Sequence, residues 1–202
     1  MTSDTIIERF HLQVDDSSEM STSEEFALLN QVYTDVQNDR PWEWLRATAT
    51  GTTSTSVPYI ALPSDFKEMT QNKDNKTVVF VGTDYAEYIV IPFSSRRDYR
   101  NQDGYCYIDI PNSRLYFTLQ PTSAKTIEYD YIKIATTLVT GASPLVTSEN
   151  FGNMLAYGMA EKFAPIEQSN KATSYAPENR VTFSSMLQDL AIQDAQIKLS
   201  YT

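Results

Sequence analysis

Residues 38–66, NDRPWEWLRATATGTTSTSVPYIALPSDF, decide the fold, because the period of the hydrophobic pattern changes inside them. Before Pro41 the apolar residues Phe26, Leu29, Tyr33 and Val36 recur every three or four positions, the spacing of one helical face. After Trp44 the spacing falls toward two. WLRATATGTT is threonine-rich and extended, and SVPYIALP is extended with prolines toward both ends, which sets at least its ends at a sheet edge. Pro41 divides the two regimes, since a proline inside a helix loses a hydrogen bond and clashes with the preceding turn. Trp42 and Trp44 sit at this boundary. On an extended chain, positions two apart share a face, so both rings can pack on the helices while Glu43 faces water. A ligand-stacking platform is the other reading, but it leaves the helix-to-sheet junction without its heaviest anchors. We take the pair as core.

Outward from this boundary, the helical spacing extends to the N-terminus. Ile6, Ile7, Phe10 and Val14 predict a short amphipathic helix over 5–14 with Thr2 or Ser3 as N-cap. A polar loop, DDSSEMSTS, leads to a second helix, where Ser21 with Glu24 and Thr22 with Glu25 have capping-box spacing. In the other direction, TVVFVG, EYIVIPF, GYCYIDIP, RLYFTLQP and TIEYDYIKIA are short β-branched and aromatic runs between turn residues. Tyr105, Tyr107 and Asp109 alternate with Cys106, Ile108 and Ile110, the pattern of antiparallel strands with one wetter face. Helical spacing returns with Phe151, Met154, Leu155, Met159 and Phe163, ended by Pro165. A polar connection, EQSNKATSYAPENR, precedes a last helix from about Pro177 to Leu199.

Helices, then strands, then helices argue for an α+β fold. The expected architecture is a helical bundle formed by the N- and C-terminal helix pairs with an inserted antiparallel β region of five to seven strands. Its parts are the N-terminal helices over 1–44, the insertion over 45–137 and the C-terminal helices over 138–202, as one structural unit.

The 202 residues, 41% of them hydrophobic, supply a real core, and 13 tyrosines and 9 phenylalanines add large buried area. The 16 basic and 26 acidic residues leave a net charge of −10. A chain that grips nucleic acid through its phosphates needs a basic surface. This balance suits instead a solubilising surface, or the wall of a passage to which DNA must not stick. Cys106 is the single cysteine, which precludes an intrachain disulfide, and no apolar run nears the roughly eighteen residues of a membrane span. The start, MTSDTIIERFHLQVDD, lacks the basic and apolar regions of a signal peptide, so a cytoplasmic setting is expected.

The sequence offers little enzyme chemistry. His11, the single histidine, reads as solvated or interfacial on the opening helix, and Cys106 as a buried inert thiol on a strand. One histidine and one cysteine make no zinc set. Asp15 and Asp16 lack the spaced oxygen ligands of a calcium loop, and no glycine-rich phosphate loop or GxSxG turn is present. No catalytic residue, cofactor or metal is expected. SSRRDYRNQDG holds the one basic cluster, Arg96, Arg97 and Arg100 with Tyr99 between them. It reads either as a loop that meets DNA phosphates or an acidic partner, or as a solvated hairpin loop partly neutralised by Asp98 and Asp103.

The succession EEFALLNQVYTDVQNDRPWEWLRATATGT, then YIALPSDFKEM, then RLYFTLQPTSAKTIEYDYIKIATTL resembles the head-to-tail adaptor, or connector, proteins of tailed bacteriophages, and among them the tail tubular protein A or gatekeeper type. The residues concerned are Leu29-Asn30, Arg40-Pro41-Trp42, Trp44 and Tyr59 to Phe66. On this resemblance Pro41, Trp42, Trp44, Tyr59, Leu62 and Phe66 are expected as structural anchors at the helix-to-sheet junction. The resemblance implies a homo-oligomeric ring of about twelve copies beneath the portal protein. Such a ring extends the channel for passing double-stranded DNA and presents a surface to the next tail or neck protein, a nozzle or stopper. It would be assembled in the host cytoplasm and end in the virion neck. A free-standing glycan- or peptide-binding module that uses the β region is the alternative, and it requires an exposed Trp42. A nuclease or terminase is disfavoured by charge and by the missing metal ligands.

Overall fold

The structure is a computed structural model that describes residues 1–14, 20–72, 74–163 and 170–200. Its contacts divide the chain into two compact units. The helical unit takes Met1–Trp44 and Ala135–Thr202, and the β unit takes Leu45–Ile134. The charge divides with them. Sixteen acidic and six basic residues fall in the helical unit, ten of each in the β unit, so the helical unit holds the whole net charge of −10.

The helical unit contains α1 (Ser3–Val14), α2 (Thr22–Asp39), α3 (Glu149–Phe163) and α4 (Asn170–Ser200). Helix α3 is central, packing on the other three, and so is apolar nearly all round. Gly158 on α3 admits close approach: a Cβ there would lie 2.6 Å from Val32 of α2 and 2.9 Å from the Phe183 ring of α4. Ser21 caps α2 with the reciprocal Glu24 bond that the spacing predicts. Helix α2 ends at Asp39, and Arg40 is extended, as the residue before a proline is pushed to be. Helix α4 begins at Asn170, seven residues before the expected start, with Pro177 inside it. The stretch read as a connection is therefore largely helix. The Asp15–Asp16 pair and Pro165 lie outside the described residues.

Three side chains on one face of α2 bind the segment that returns from the β unit. Asn30 Nδ2 donates to the Leu138 carbonyl (2.9 Å) and its Oδ1 accepts from the Leu138 N–H (2.7 Å). The Tyr33 hydroxyl accepts from the Leu145 N–H (3.1 Å), and Gln37 Oε1 accepts from the Ala135 N–H (3.0 Å). A segment without its own ladder thus has its backbone groups satisfied by side chains.

The tryptophans belong to the helical unit, and Trp44 lies in a 3-10 turn, Glu43–Leu45, rather than on an extended strand, with Leu45 already the first residue of the β unit. Trp42 is 0% exposed. Its Nε1 donates to the Val36 carbonyl at 2.6 Å, one of the last-turn carbonyls that α2 leaves unpaired. Trp44 is half-buried, 6.4 Å from Tyr33 in a stacked pair and 5.8 Å edge-on to Phe151. Asp194 of α4, itself buried, holds the turn by accepting from the Glu43 N–H (2.8 Å) and that of Trp44. Desolvation pushes the Asp194 carboxyl above its ordinary range. The folded state therefore binds this proton more tightly than the unfolded one. The stability linked to it is fully present below the unfolded value and declines as pH rises through the folded one. Asp194→Asn, which keeps an acceptor, is expected to flatten that decline in urea titrations from acid to neutral pH. Asp194→Ala strands the turn's donors and is expected to cost about 1–3 kcal/mol.

The β unit contains β1 (Arg46–Thr52), β2 (Tyr59–Ala61), β3 (Phe66–Met69), β4 (Val78–Val81), β5 (Ala86–Ile91), β6 (Tyr105–Asp109), β7 (Arg114–Phe117) and β8 (Thr126–Lys133). The strand order is β1-β8-β4-β5-β6-β7-β2, and β3 pairs with the end of β8. Among the described residues all the strand pairs are antiparallel but one: β5 and β6 run parallel, Ile89 opposite Tyr105. This corrects the expected bundle with an inserted antiparallel β region. The β part is a large mixed sheet, nearly closed like a barrel, with its own core of Val79, Val81, Cys106, Leu115, Phe117, Ile127, Tyr129 and Tyr131. Closure follows from the connectivity. The link from Thr52 to Tyr59 reaches at most about 24 Å, while six gaps of about 4.8 Å would hold the ends of a flat sheet about 29 Å apart. The sheet curls until a side chain on Gly51 of β1 would meet Ile60 of β2 at 3.7 Å. Alternation alone could not distinguish the parallel pair, since both arrangements share a period of two.

Candidate functional site

The parallel pair explains the basic cluster. Parallel strands need a crossover of about a dozen residues, and residues 92–104 supply it, with Phe93–Arg97 as a 3-10 helix. The cluster is thus a crossover packed on the sheet, in place of the hairpin loop of one reading. Tyr99 lies 4.5 Å from Tyr105, and Arg96 sits 3.9 Å over the Phe93 ring while donating to the Phe93 carbonyl at 2.8 Å. Arg97 and Arg100 are exposed and make no ion pair among the described residues.

From this crossover an aromatic ladder runs over the outer face of the sheet. Phe93 meets Tyr107 of β6 edge-on at 5.8 Å, and Tyr107 stacks on Tyr116 of β7 at 5.3 Å with planes 4° apart. Tyr116 meets Tyr59 of β2 at 5.1 Å. The register makes the three tyrosines direct neighbours, Tyr107 opposite Tyr116 and Tyr116 opposite Tyr59. At the far end Arg114 sits 4.0 Å over the Tyr59 ring and donates to the Tyr116 hydroxyl at 3.3 Å. Two guanidiniums therefore bracket four rings, with the three tyrosines half-buried and Phe93 46% exposed. Burial, then the neighbouring Tyr116, pushes the Tyr107 phenol upward, which keeps it protonated and uncharged at neutral pH. Aromatic faces with arginine ends suit apolar and anionic groups presented together.

Elsewhere the chemistry is quiet. Cys106 is 0% exposed and desolvation pushes its thiol up to about 12, so no thiolate forms near neutral pH. His11 lies half-buried against Glu25, Nε2 to Oε1 2.5 Å. A hollow of about 490 Å³ on the outer face of β1, β4 and β8 is lined by threonines, Phe80 and Tyr85, with Glu128 its one carboxylate. Among the described residues no group of three or more metal-ligating side chains comes together, and no helix is long and apolar enough to cross a membrane.

The residues expected as anchors fall into two groups. Exposed Pro41, buried Trp42 and half-buried Trp44 are in the helical unit. In the β unit, Leu62 is in the core, Phe66 stacks on Tyr131 at 5.7 Å, and Tyr59 is a rung of the outer ladder. No sequence motif marks Phe93, Tyr107, Arg114 and Tyr116 as site residues. The alternation of Tyr105, Tyr107 and Asp109 was the signal available, but only the register aligns Tyr107, Tyr116 and Tyr59 across three strands.

A family model described as SU10 adaptor protein matches residues 1–199. No curated protein matches the chain.

Proposed function

This chain belongs to the SU10 adaptor protein family of structural phage proteins, and we propose that it works as a head-to-tail adaptor ring, of the tail tubular protein A or gatekeeper type, in the virion neck. About twelve copies join the portal to a nozzle or stopper of the tail and extend the channel for DNA. The match over nearly the whole chain carries this reading. The electrostatics support it: a helical unit that holds the entire net charge of −10, repeated around a ring, repels phosphates and lets double-stranded DNA pass without sequence recognition. Rings close through two different faces of each subunit. The module reading needs an exposed Trp42, and that ring is fully buried.

The test mixes purified chain with portal rings for negative-stain imaging. The expected result is a second ring coaxial with the portal. A chain that neither binds portal nor associates with itself overturns the proposal.

A further inference from the structure

The arginine-bracketed ladder has a chemical counterpart on this same chain. Along α4 the exposed residues Glu178, Val181, Ser185, Asp189, Ile192 and Gln196 recur at three and four positions and so share one face. Val181 is 70% and Ile192 58% exposed, large aliphatic side chains left in water on a helix whose unit is strongly acidic. Neither Glu178 nor Asp189 makes an ion pair among the described residues.

The stripe and the ladder agree in content and in length. Aliphatic knobs suit the ring faces of Tyr107, Tyr116 and Tyr59, and the two carboxylates suit Arg96 and Arg114 at the ladder's ends. Glu178 to Asp189 and Val181 to Ile192 are each eleven residues, a rise of about 16 Å, the distance covered by the ladder's three centroid steps of 5.8, 5.3 and 5.1 Å. Charge complementarity favours the same pairing, because the β unit is neutral overall and arginine-bracketed on this face, while the helical unit is the acidic one.

We propose that the Arg96–Tyr107–Tyr116–Tyr59–Arg114 ladder of one copy receives the exposed Glu178–Asp189–Ile192 stripe of α4 of a second copy. The contact is heterologous, ladder to helix, and therefore repeats from copy to copy, as ring closure requires. It deepens the ring reading above by naming the two faces that meet.

Charge reversal tests it. The chain is prepared as the double variant Arg96→Glu with Arg114→Glu and, separately, as Glu178→Arg with Asp189→Arg, with melting curves to show that each is folded. Self-association of the wild type is measured by sedimentation velocity up to millimolar concentration at low salt, where surface charge is least screened. Each variant is expected to associate about tenfold or more weakly than wild type. Mixing the two restores complementary charge at every contact of an alternating assembly, so the mixture is expected to regain wild-type association. Wild-type assembly that neither variant weakens, or that mixing fails to restore, overturns this contact and leaves the ring reading standing. A wild type that stays monomeric overturns the contact, and the ring reading then rests on the portal experiment alone.

Discussion

Trp42→Ala is expected to lower the stability of the helical unit by about 3–5 kcal/mol, the cost of truncating a large buried side chain. The ring is 0% exposed, lies 6.1 Å from Trp44 and carries the Arg40 guanidinium 4.9 Å above its face. Its N–H also closes the end of α2 through the Val36 carbonyl. Two losses therefore combine, a cavity in the core and an unpaired carbonyl at a helix terminus. Trp42→Phe separates them. It keeps most of the volume and loses the hydrogen bond, so its cost should be about 1–3 kcal/mol. Urea denaturation followed by circular dichroism measures both, and an alanine variant as stable as wild type would show that Trp42 is no core residue. Tryptophan emission supplies an independent check: the Trp42 component should resist a soluble quencher until the chain unfolds.

The second large effect is expected at Asn30. Asn30→Ala removes the donor and the acceptor that together pair both backbone groups of Leu138, a residue only 4% exposed. Leaving a shielded N–H and C=O without partners costs about 2–4 kcal/mol in total. Asn30→Asp retains an acceptor for the N–H but sets a carboxylate oxygen against the carbonyls of Phe26 and Leu138, to which the amide now donates. It too should destabilise, and less at acid pH, where the protonated carboxyl can donate. Chemical denaturation across pH separates the two variants; equal stability of Asn30→Ala and wild type would remove Asn30 from any role in holding the returning segment.

These two residues show what the sequence could and could not convey. Trp42 was legible because proline, helix end and heavy aromatics coincide within a few positions. Asn30 appeared only as part of a resemblance, because its partner lies 108 residues away. The α+β class, the capping box at Ser21 and the end of α2 before Pro41 follow from local spacing and local sterics, which the sequence determines by itself. Residues that alternate with period two announce a strand, but not its neighbour or direction.

Pairing was therefore left to the tertiary structure. It made β5 and β6 parallel, turned the expected arginine loop into their crossover, and curled the sheet because six residues, Thr53–Pro58, must span its two ends. It also sorted the charge. The sequence determined a net −10 for the chain, whereas the division into units decided that the helices hold all of it and the β unit none. The physical reason is the same throughout: local propensity depends on residues a few positions apart, while register, closure and charge partition depend on contacts between residues far apart in the chain, which only the folded core selects.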